Sequence, residues 1–149
     1  LNISITNNAI LISNNKYSEE IKEVYNQLKN EKNINEPSLE YRPWGYYKNI
    51  LITELYKVKL LSINPHSQIS LQYHHKRAEH WVVTKGTASI TIGDTLHTLE
   101  RDQSIYVPKK EIHRIENKTN NILEIIEVQI GKYLGEDDIV RLKDKYNRK

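Results

Sequence analysis

Potential metal ligands recur at short intervals in the segment SLQYHHKRAEHW, residues 70–81. In an extended strand, alternate side chains point to the same face, so Gln72 and His74 converge while His75 points away. Imidazole nitrogens and amide oxygens both bind divalent cations. This alternation is therefore the first indication of a metal site.

Two further residues complete a candidate ligand set. If a second strand covers residues 78–84, Glu79 joins the first pair across a hairpin, whereas His80 faces away from Glu79. The later segment SIYVPKKEIHRIEN places His113 after a Pro-Lys-Lys turn. Two imidazoles, one carboxylate and one amide suit zinc, manganese, iron or cobalt, with water or substrate at the remaining positions. The predicted metal ligands are Gln72, His74, Glu79 and His113.

Composition limits the remaining chemistry. The chain has 149 residues, no cysteine, and a formal net charge of +3 from 22 basic and 19 acidic residues. Without cysteine, neither disulfides nor thiolate ligands are available. The charges lack the basic stripe typical of nucleic-acid binding, and no apolar run is long enough to cross a membrane. We therefore expect a soluble, cytoplasmic protein whose partners include neither nucleic acid nor membrane.

The elements that position these residues change in character along the chain. The opening ISITNNAILIS predicts two short strands joined by a turn at residues 7–8, and SEEIKEVYNQLKN predicts an amphipathic helix. Residues 30–37 are polar and end in proline, which is typical of a linker. Over residues 51–130, short runs of Val, Ile and Tyr between turn residues predict an antiparallel sandwich or barrel. The tail LGEDDIVRLKDKYNRK predicts a carboxy-terminal helix packed against the barrel.

The ligand spacing resembles the two sequence motifs of the cupin family. The first motif would run from His66 to Gly86, and the second from Asp102 to Asn117. Cupins usually carry glycine, which tolerates left-handed backbone, at three positions occupied here by His66, Asp102 and Lys110. The resemblance implies a mainly β cupin fold, a double-stranded β-helix or jelly-roll barrel. A small amino-terminal hairpin and helix and a carboxy-terminal helix would complete it.

Four segments are similar to one cupin branch, the type II phosphomannose isomerases. They are SLQxHxxRxEHW, with glutamine where most cupins have histidine, and YRPWGYY, YVPKKEIHRIEN and LEIIEVQIGKYLGEDDIVRLKDKYNR. Such domains form the carboxy-terminal part of bifunctional mannose-1-phosphate guanylyltransferase/mannose-6-phosphate isomerases. The resemblance implies that residues 1–37 are the tail of an upstream nucleotidyltransferase region plus a linker, and that residues 38–149 are the isomerase domain. The lack of methionine, even at position 1, agrees with a longer gene product.

The resemblance also implies an activity. Such a domain interconverts mannose 6-phosphate and fructose 6-phosphate through an enediol and feeds GDP-mannose and polysaccharide synthesis. A divalent metal is expected, with zinc first and manganese, cobalt, iron or magnesium as alternatives. The expected partners are a phosphosugar substrate and a second copy of the chain in a homodimer.

Residues outside the ligand set are assigned less directly. Arg141 and Arg148 match family arginines important for isomerase activity, and on a helix their spacing would return both to one face for phosphate binding. Candidates for the proton-transferring base include His80, Lys85 and Glu127, with Lys85 also a candidate substrate contact. Glu127 and Gln129 share a strand face and are candidates for contacts with sugar hydroxyls. Weaker phosphate candidates are Arg42, Arg77 and Arg114.

Alternative interpretations stay open. A lone histidine on a strand is usually structural, and some cupins keep the barrel without metal. A non-catalytic assembly or sugar-phosphate-binding module for a guanylyltransferase would bind without turnover, whereas an iron dioxygenase would consume oxygen. Independently of these functions, Arg141 and Arg148 are alternatively interpreted as helix-surface charges that pair with Glu136, Asp137 or Asp144.

Overall fold

Two compact units make up the structure, a computed structural model that describes residues 1–5, 10–28 and 39–148. The units are Leu1–Ser38 and Leu39–Lys149. The predicted turn at residues 7–8 and the predicted linker over residues 30–37 lie outside the described residues. Among the described helices, none is long and apolar enough to cross a membrane.

The first unit contains a hairpin and a short helix. Strands β1 (Asn2–Ile5) and β2 (Ile10–Ser13) pair antiparallel. A 3-10 helix (Asn15–Glu20) then leads into helix α1 (Ile21–Leu28), and the side chain of Asn14 accepts a hydrogen bond at the start of the 3-10 helix. The predicted amino-terminal hairpin and helix are thus confirmed.

The second unit is built almost wholly from strands. They are β3 (Leu39–Arg42), β4 (Gly45–Ile52), β5 (Tyr56–Ile63), β6 (Leu71–His74), β7 (Arg77–Lys85), β8 (Ala88–Ile92), β9 (Thr95–Leu99), β10 (Ser104–Val107), β11 (His113–Glu116), β12 (Leu123–Gly131) and β13 (Ile139–Lys143). They pair antiparallel in two sheets, ordered β10-β7-β12-β5-β4-β3 and β13-β6-β11-β8-β9. The predicted antiparallel sandwich or barrel is confirmed.

Alternation along the strands places the core between the two sheets. On β12, Leu123 and Ile125 are fully buried, while Ile126 on the opposite face is partly exposed. The buried apolar cluster combines residues of both sheets, among them Trp81 of β7 and Ile115 of β11. The same alternation directs polar residues of β7 and β12 into the interior.

Four non-glycine residues in the described part of the chain adopt left-handed backbone, and three of them lie in the barrel turns that precede β6, β10 and β11. His66, Asp102 and Lys110 have φ values of 55°, 74° and 66°. These are the positions at which the cupin motifs usually carry glycine, so the turns keep their conformation at some energetic cost. Gly45 is required instead: its φ is 144°, and a Cβ there would collide with the carbonyl oxygen of Ser62.

The predicted carboxy-terminal helix is wrong. Residues Glu136–Asp138 form a single 3-10 turn, and β13 follows and pairs with β6. The spacing of apolar residues suits a helix, but pairing with the open edge of β6 satisfies the backbone polar groups of this segment. β-Branched Ile139 and Val140 also favour a strand. Leu142 is consequently 47% exposed.

Candidate metal centre

Three predicted ligands meet inside the second unit. His74 ends β6 and His113 begins β11, both in the five-stranded sheet, whereas Glu79 lies on β7 in the six-stranded sheet. The predicted hairpin between β6 and β7 is therefore wrong, because residues 75–76 carry the chain from one sheet to the other. Nε2 of His74 lies 3.1 Å from Oε1 of Glu79, and Nε2 of His113 lies 3.8 Å from Oε2. All three side chains are at most 2% exposed.

The polar atoms of this cluster suit a divalent cation. Nε2 of His74, Nε2 of His113 and Oε2 of Glu79 are buried without hydrogen-bond partners among the protein atoms. Such a group costs about 1–3 kcal/mol when it is left unsatisfied. Nδ1 of His113 donates to the carbonyl oxygen of Glu111 at 2.8 Å, which leaves a lone pair on Nε2. The ligand atoms lie within 4.8 Å of one another, so small side-chain movements would let them share one cation.

Gln72 lies beside this cluster. It is opposite His113 in the register between β6 and β11, and it lines the same cavity as Glu79. Its Oε1 accepts a hydrogen bond from Oγ of Ser70 at 2.6 Å, so a neighbour already orients the amide. The role of Gln72 as a fourth ligand stays a prediction.

Hydrogen bonds link Glu79 to a second buried carboxyl group. Nε of Arg77 and Nε2 of Gln129 each donate to Oε1 of Glu79 at 3.1 Å. Gln129 Nε2 also donates to Oε1 of Glu127 at 2.8 Å, and Nε1 of Trp81 donates to Oε2 of Glu127 at 3.1 Å. The register of β7 and β12 explains the arrangement, because it sets Glu79 opposite Gln129 and Trp81 opposite Glu127.

Burial and neighbouring charges shift the acidities of these groups in different directions. Burial alone would raise the pKa of Glu79, but the adjacent imidazole of His74, followed by the charge of Arg77, holds it well below its usual range. Burial, followed by the charge of Glu79, raises the pKa of Glu127 to about 8. Burial lowers the pKa of His113. An ionised Glu79 and a neutral His113 are the forms that bind a cation, while Glu127 holds a proton near neutral pH.

A cavity that opens to solvent is lined by Glu79, Glu127 and Gln129 together with five cationic residues. The cationic residues are Arg42, Lys59, Arg77, Arg141 and Arg148. Arg141 and Arg148 reach the same cavity from β13 and the turn that follows it, not from a helix. Burial, followed by the charge of Arg148, lowers the pKa of Arg141, as expected for two neighbouring guanidinium groups.

Carboxylates orient two of these arginines. Asp144 receives a forked pair of hydrogen bonds from Arg148, with Nε and NH2 each at 2.8 Å from a different carboxylate oxygen. Arg42 forms an ion pair with Glu40 at 2.7 Å and donates to the hydroxyl of Tyr47 at 3.5 Å. Because a guanidinium has five N–H donors, both arginines keep donors for an anion.

Three candidate residues lie away from the cavity lining, namely His80, Lys85 and Arg114. His80 is exposed on the outer face of β7, with its ring 4.7 Å from that of Tyr106. Lys85 has a side chain 61% exposed and lies 3.9 Å from Glu124. It stands six residues beyond Glu79, roughly 20 Å along the strand.

An unforeseen ion pair lines the cavity as well. Lys59 is 3% exposed and forms an ion pair with Glu136, and Lys57 on the same strand is 1% exposed. In YKVKLLSI, alternation continued backwards from the buried Leu61 and Ile63 would have identified both lysines as inward-facing. No local pattern identifies Glu136 as a partner, since 77 residues separate it from Lys59.

Comparison with known proteins assigns a family to the chain that forms this cavity. Residues 29–144 match the family model described as mannose-6-phosphate isomerase C-terminal. The chain belongs to this family. The similarity inferred from the sequence motifs is thus confirmed, and the cluster and cavity belong to an isomerase-family domain.

Relatives of this isomerase-family chain are much longer. Xanthan biosynthesis protein XanB of Xanthomonas campestris pv. campestris is 43% identical over 145 residues, which cover 96% of this chain and 31% of XanB. Mannose-1-phosphate guanylyltransferase of Salmonella montevideo is 42% identical over 146 residues, 96% of this chain and 31% of the relative. The chain therefore spans about a third of the length of either relative.

A solved structure supports the fold. A protein with a double-stranded β-helix domain from Klebsiella pneumoniae has a TM-score of 0.58 and 16% identity, over 65% of this chain and 78% of that chain. At this identity the likeness concerns architecture alone. The predicted mainly β cupin fold, a double-stranded β-helix, is confirmed.

Proposed function

We propose that this chain catalyses the metal-dependent interconversion of mannose 6-phosphate and fructose 6-phosphate, which feeds GDP-mannose and polysaccharide synthesis. The observation that carries the proposal is the meeting of His74, Glu79 and His113 at a cavity whose wall carries Arg141 and Arg148. A cation-binding cluster beside a cationic wall suits a phosphorylated substrate with adjacent oxygens. The family match supports the same reaction.

The cofactor of this proposal is a divalent metal. His74, Glu79 and His113 would hold it, with Gln72 as the fourth ligand. We expect zinc first, because two imidazoles and a carboxylate are a donor set that zinc enzymes use, with manganese, cobalt, iron or magnesium as alternatives. When bound, the cation would act as a Lewis acid on the carbonyl group of the substrate.

Arg141 and Arg148 bind the phosphate group of the substrate in this proposal. Their planar guanidinium groups present paired donors that match phosphate oxygens. Asp144 holds Arg148 in place through two hydrogen bonds, so less conformational entropy is lost on binding. Arg42, on the same wall, adds positive charge.

Glu127 is the proposed proton carrier. It lines the cavity, and burial followed by the charge of Glu79 raises its pKa to about 8. In the isomerisation a base removes the proton from C2 of the aldose and returns it to C1, while the O2 hydroxyl proton passes to O1. The ionised form of Glu127 would remove this proton, and the carboxyl group so formed would return it to C1. Gln129 donates to Glu127 and Glu79 and so orients both carboxyl groups.

The proposal extends to a longer protein. Residues 1–37 would be the tail of a nucleotidyltransferase region and its linker, and residues 38–149 the isomerase domain of a bifunctional guanylyltransferase. The relative named mannose-1-phosphate guanylyltransferase, of which the match covers 31%, supports this organisation. We further propose a cytoplasmic homodimer, as expected for this branch of cupins.

A turnover assay tests the proposal. The chain is stripped with a chelator, reloaded with one divalent cation at a time, and incubated with mannose 6-phosphate. We expect fructose 6-phosphate with at least one cation and none in the chelated sample. A folded, metal-loaded sample that binds mannose 6-phosphate without converting it would replace the isomerase proposal with a non-catalytic binding module. Consumption of oxygen would instead indicate a dioxygenase.

A further inference from the structure

Arg77 joins two parts of the site with one guanidinium group. It is 1% exposed and lies two residues before Glu79, on the same face of β7. Its Nε donates to Oε1 of Glu79 at 3.1 Å, and its NH1 donates to the backbone oxygen of Gly135 at 2.8 Å. Gly135 belongs to residues 132–138, named here the connecting segment, which runs from β12 to β13.

Buried cations anchor the connecting segment at three successive residues. Nζ of Lys57 donates to the backbone oxygen of Leu134 at 2.9 Å, and Lys59 forms its ion pair with the carboxylate of Glu136. Between them lies Gly135, the residue that Arg77 holds. The connecting segment leads directly into β13, which carries Arg141. The position of the segment therefore sets the position of this arginine in the wall of the cavity.

At its other end, Arg77 contacts one of the two oxygens of the Glu79 carboxylate. Oε1 accepts hydrogen bonds from Arg77 and Gln129. Oε2 is buried without a hydrogen-bond partner and lies 3.8 Å from Nε2 of His113. Rotation of the carboxylate would break both donor contacts, so the unpartnered oxygen is held towards the imidazole nitrogen.

We propose that Arg77 is a positioning residue that holds the Glu79 carboxylate for metal binding and ties the connecting segment to it. The inference rests on the proposed function in placing a metal at this cluster. Loss of Arg77 then weakens metal binding and anion binding together. Lysine cannot replace it, because a single ammonium lacks the planar fork that spans a carboxylate and a carbonyl.

The test compares Arg77→Met and Arg77→Lys with wild type and with Lys57→Met. Lys57 holds the same connecting segment through the backbone oxygen of Leu134. In the strand register, Gln129 of β12 lies between Lys57 and Glu79. The Lys57→Met control therefore removes an anchor of the segment without removing a donor to Glu79. Binding of Co²⁺ to the metal-free 149-residue chain, followed by its visible absorption, reports affinity and coordination geometry. Calorimetry with inorganic phosphate reports the cationic wall, and circular dichroism verifies the fold of each variant.

We expect both Arg77 variants to bind Co²⁺ roughly 10–100-fold more weakly and with an altered absorption spectrum. Both should also bind phosphate more weakly, whereas Lys57→Met should weaken phosphate binding alone. Unchanged Co²⁺ affinity and spectrum in folded Arg77→Lys would overturn the inference. So would loss of the fold in both variants, because Arg77 would then be a general structural requirement. A wild-type chain that binds no Co²⁺ overturns the proposed function itself, a result distinct from failure of the variants alone.

Discussion

Nε2 of His74 and Oε1 of Glu79 lie 3.1 Å apart although their strands belong to different sheets. Both nitrogens of His74 are buried without hydrogen-bond partners among the protein atoms. A bound cation would satisfy Nε2 and link the two sheets at the same point. Under the proposed function, metal binding and fold stability would therefore be coupled at this cluster.

Metal binding should raise the thermal stability of the chain through His74. At a free metal concentration 100 times the dissociation constant, we expect a gain of about 2.7 kcal/mol, measured as a rise in Tm over the chelated sample. His74→Gln should abolish most of this rise. The control is His75→Gln, since His75 is the exposed neighbour on the other face. Equal metal-dependent stabilisation in both variants would contradict the assignment.

Substitution of Arg141 should affect substrate binding more than metal binding. Removing charged hydrogen bonds to a phosphate costs about 1.5–3 kcal/mol, so Arg141→Met should raise KM for mannose 6-phosphate roughly 10–100-fold. Metal content measured by atomic emission should stay unchanged. Arg101→Met, which removes an exposed arginine in a turn, is the matched control. A KM equal to wild type would remove Arg141 from the phosphate site.

Glu127→Gln should lower kcat and leave metal binding in place. A positioned acid-base group accelerates a reaction by about 10²–10⁴-fold, so we expect kcat to fall by this factor. Steady-state assays measure kcat, and Co²⁺ affinity is measured in parallel. His80→Gln serves as the comparison because His80 is exposed on the outer face of β7. If His80→Gln lost the activity and Glu127→Gln kept it, the base would have to be sought outside the cavity lining.

The Lys59–Glu136 pair predicts a pH dependence of stability. Burial opposes both charges, but the pair interaction outweighs it, so the pKa of Glu136 falls below 4.5 and that of Lys59 rises above 10.5. The carboxylate therefore stabilises the fold above pH 4.5 and loses this effect as pH falls through its folded pKa. The lysine stabilises the fold below pH 10.5 and loses the effect as pH rises through its folded pKa.

Glu136→Gln should accordingly reduce the free energy of unfolding by about 1–2 kcal/mol at neutral pH, a value discounted for the partial exposure of Glu136. Urea titrations at several pH values measure this difference in the free energy of unfolding between variant and wild type. The difference should shrink as the pH falls below the pKa of the Glu136 carboxyl group in the unfolded chain. Glu124→Gln, beside the exposed Lys85, should change the free energy little. A difference for Glu136→Gln that is constant down to acidic pH would contradict this account.

Asn117 should contribute strongly to stability. Its Nδ2 donates to the backbone oxygens of Ile63, Asn64 and Asn121, and the side chain is 0% exposed. Asn117→Ala leaves these acceptors without their donor, so we expect a loss of about 2–4 kcal/mol in the free energy of unfolding. Asn120→Ala, at an exposed position, is the control for chemical denaturation. Similar losses in the two variants would contradict the role given to Asn117.

Side-chain directions along single strands were predictable because alternation is a local property of extended backbone. On β7, Glu79 and Trp81 are buried and His80 is exposed, as parity requires. On β12, Glu127 and Gln129 share one face, as predicted, and the structure shows that this face points inwards. The ligand cluster combines three strands, β6, β7 and β11, and the roles of its members stay predictions.

The amino-acid sequence by itself determined the family, the strand-rich architecture and the faces on which candidate ligands lie, because these depend on motif wording and on a two-residue period. The tertiary structure alone decided that β6 and β7 join different sheets and that β13 replaces the predicted helix. It also decided that Arg77 binds both Glu79 and Gly135. These three features depend on contacts between residues that are far apart in the sequence. Strand edges and buried charges must find partners, and only the folded chain shows which partners they find.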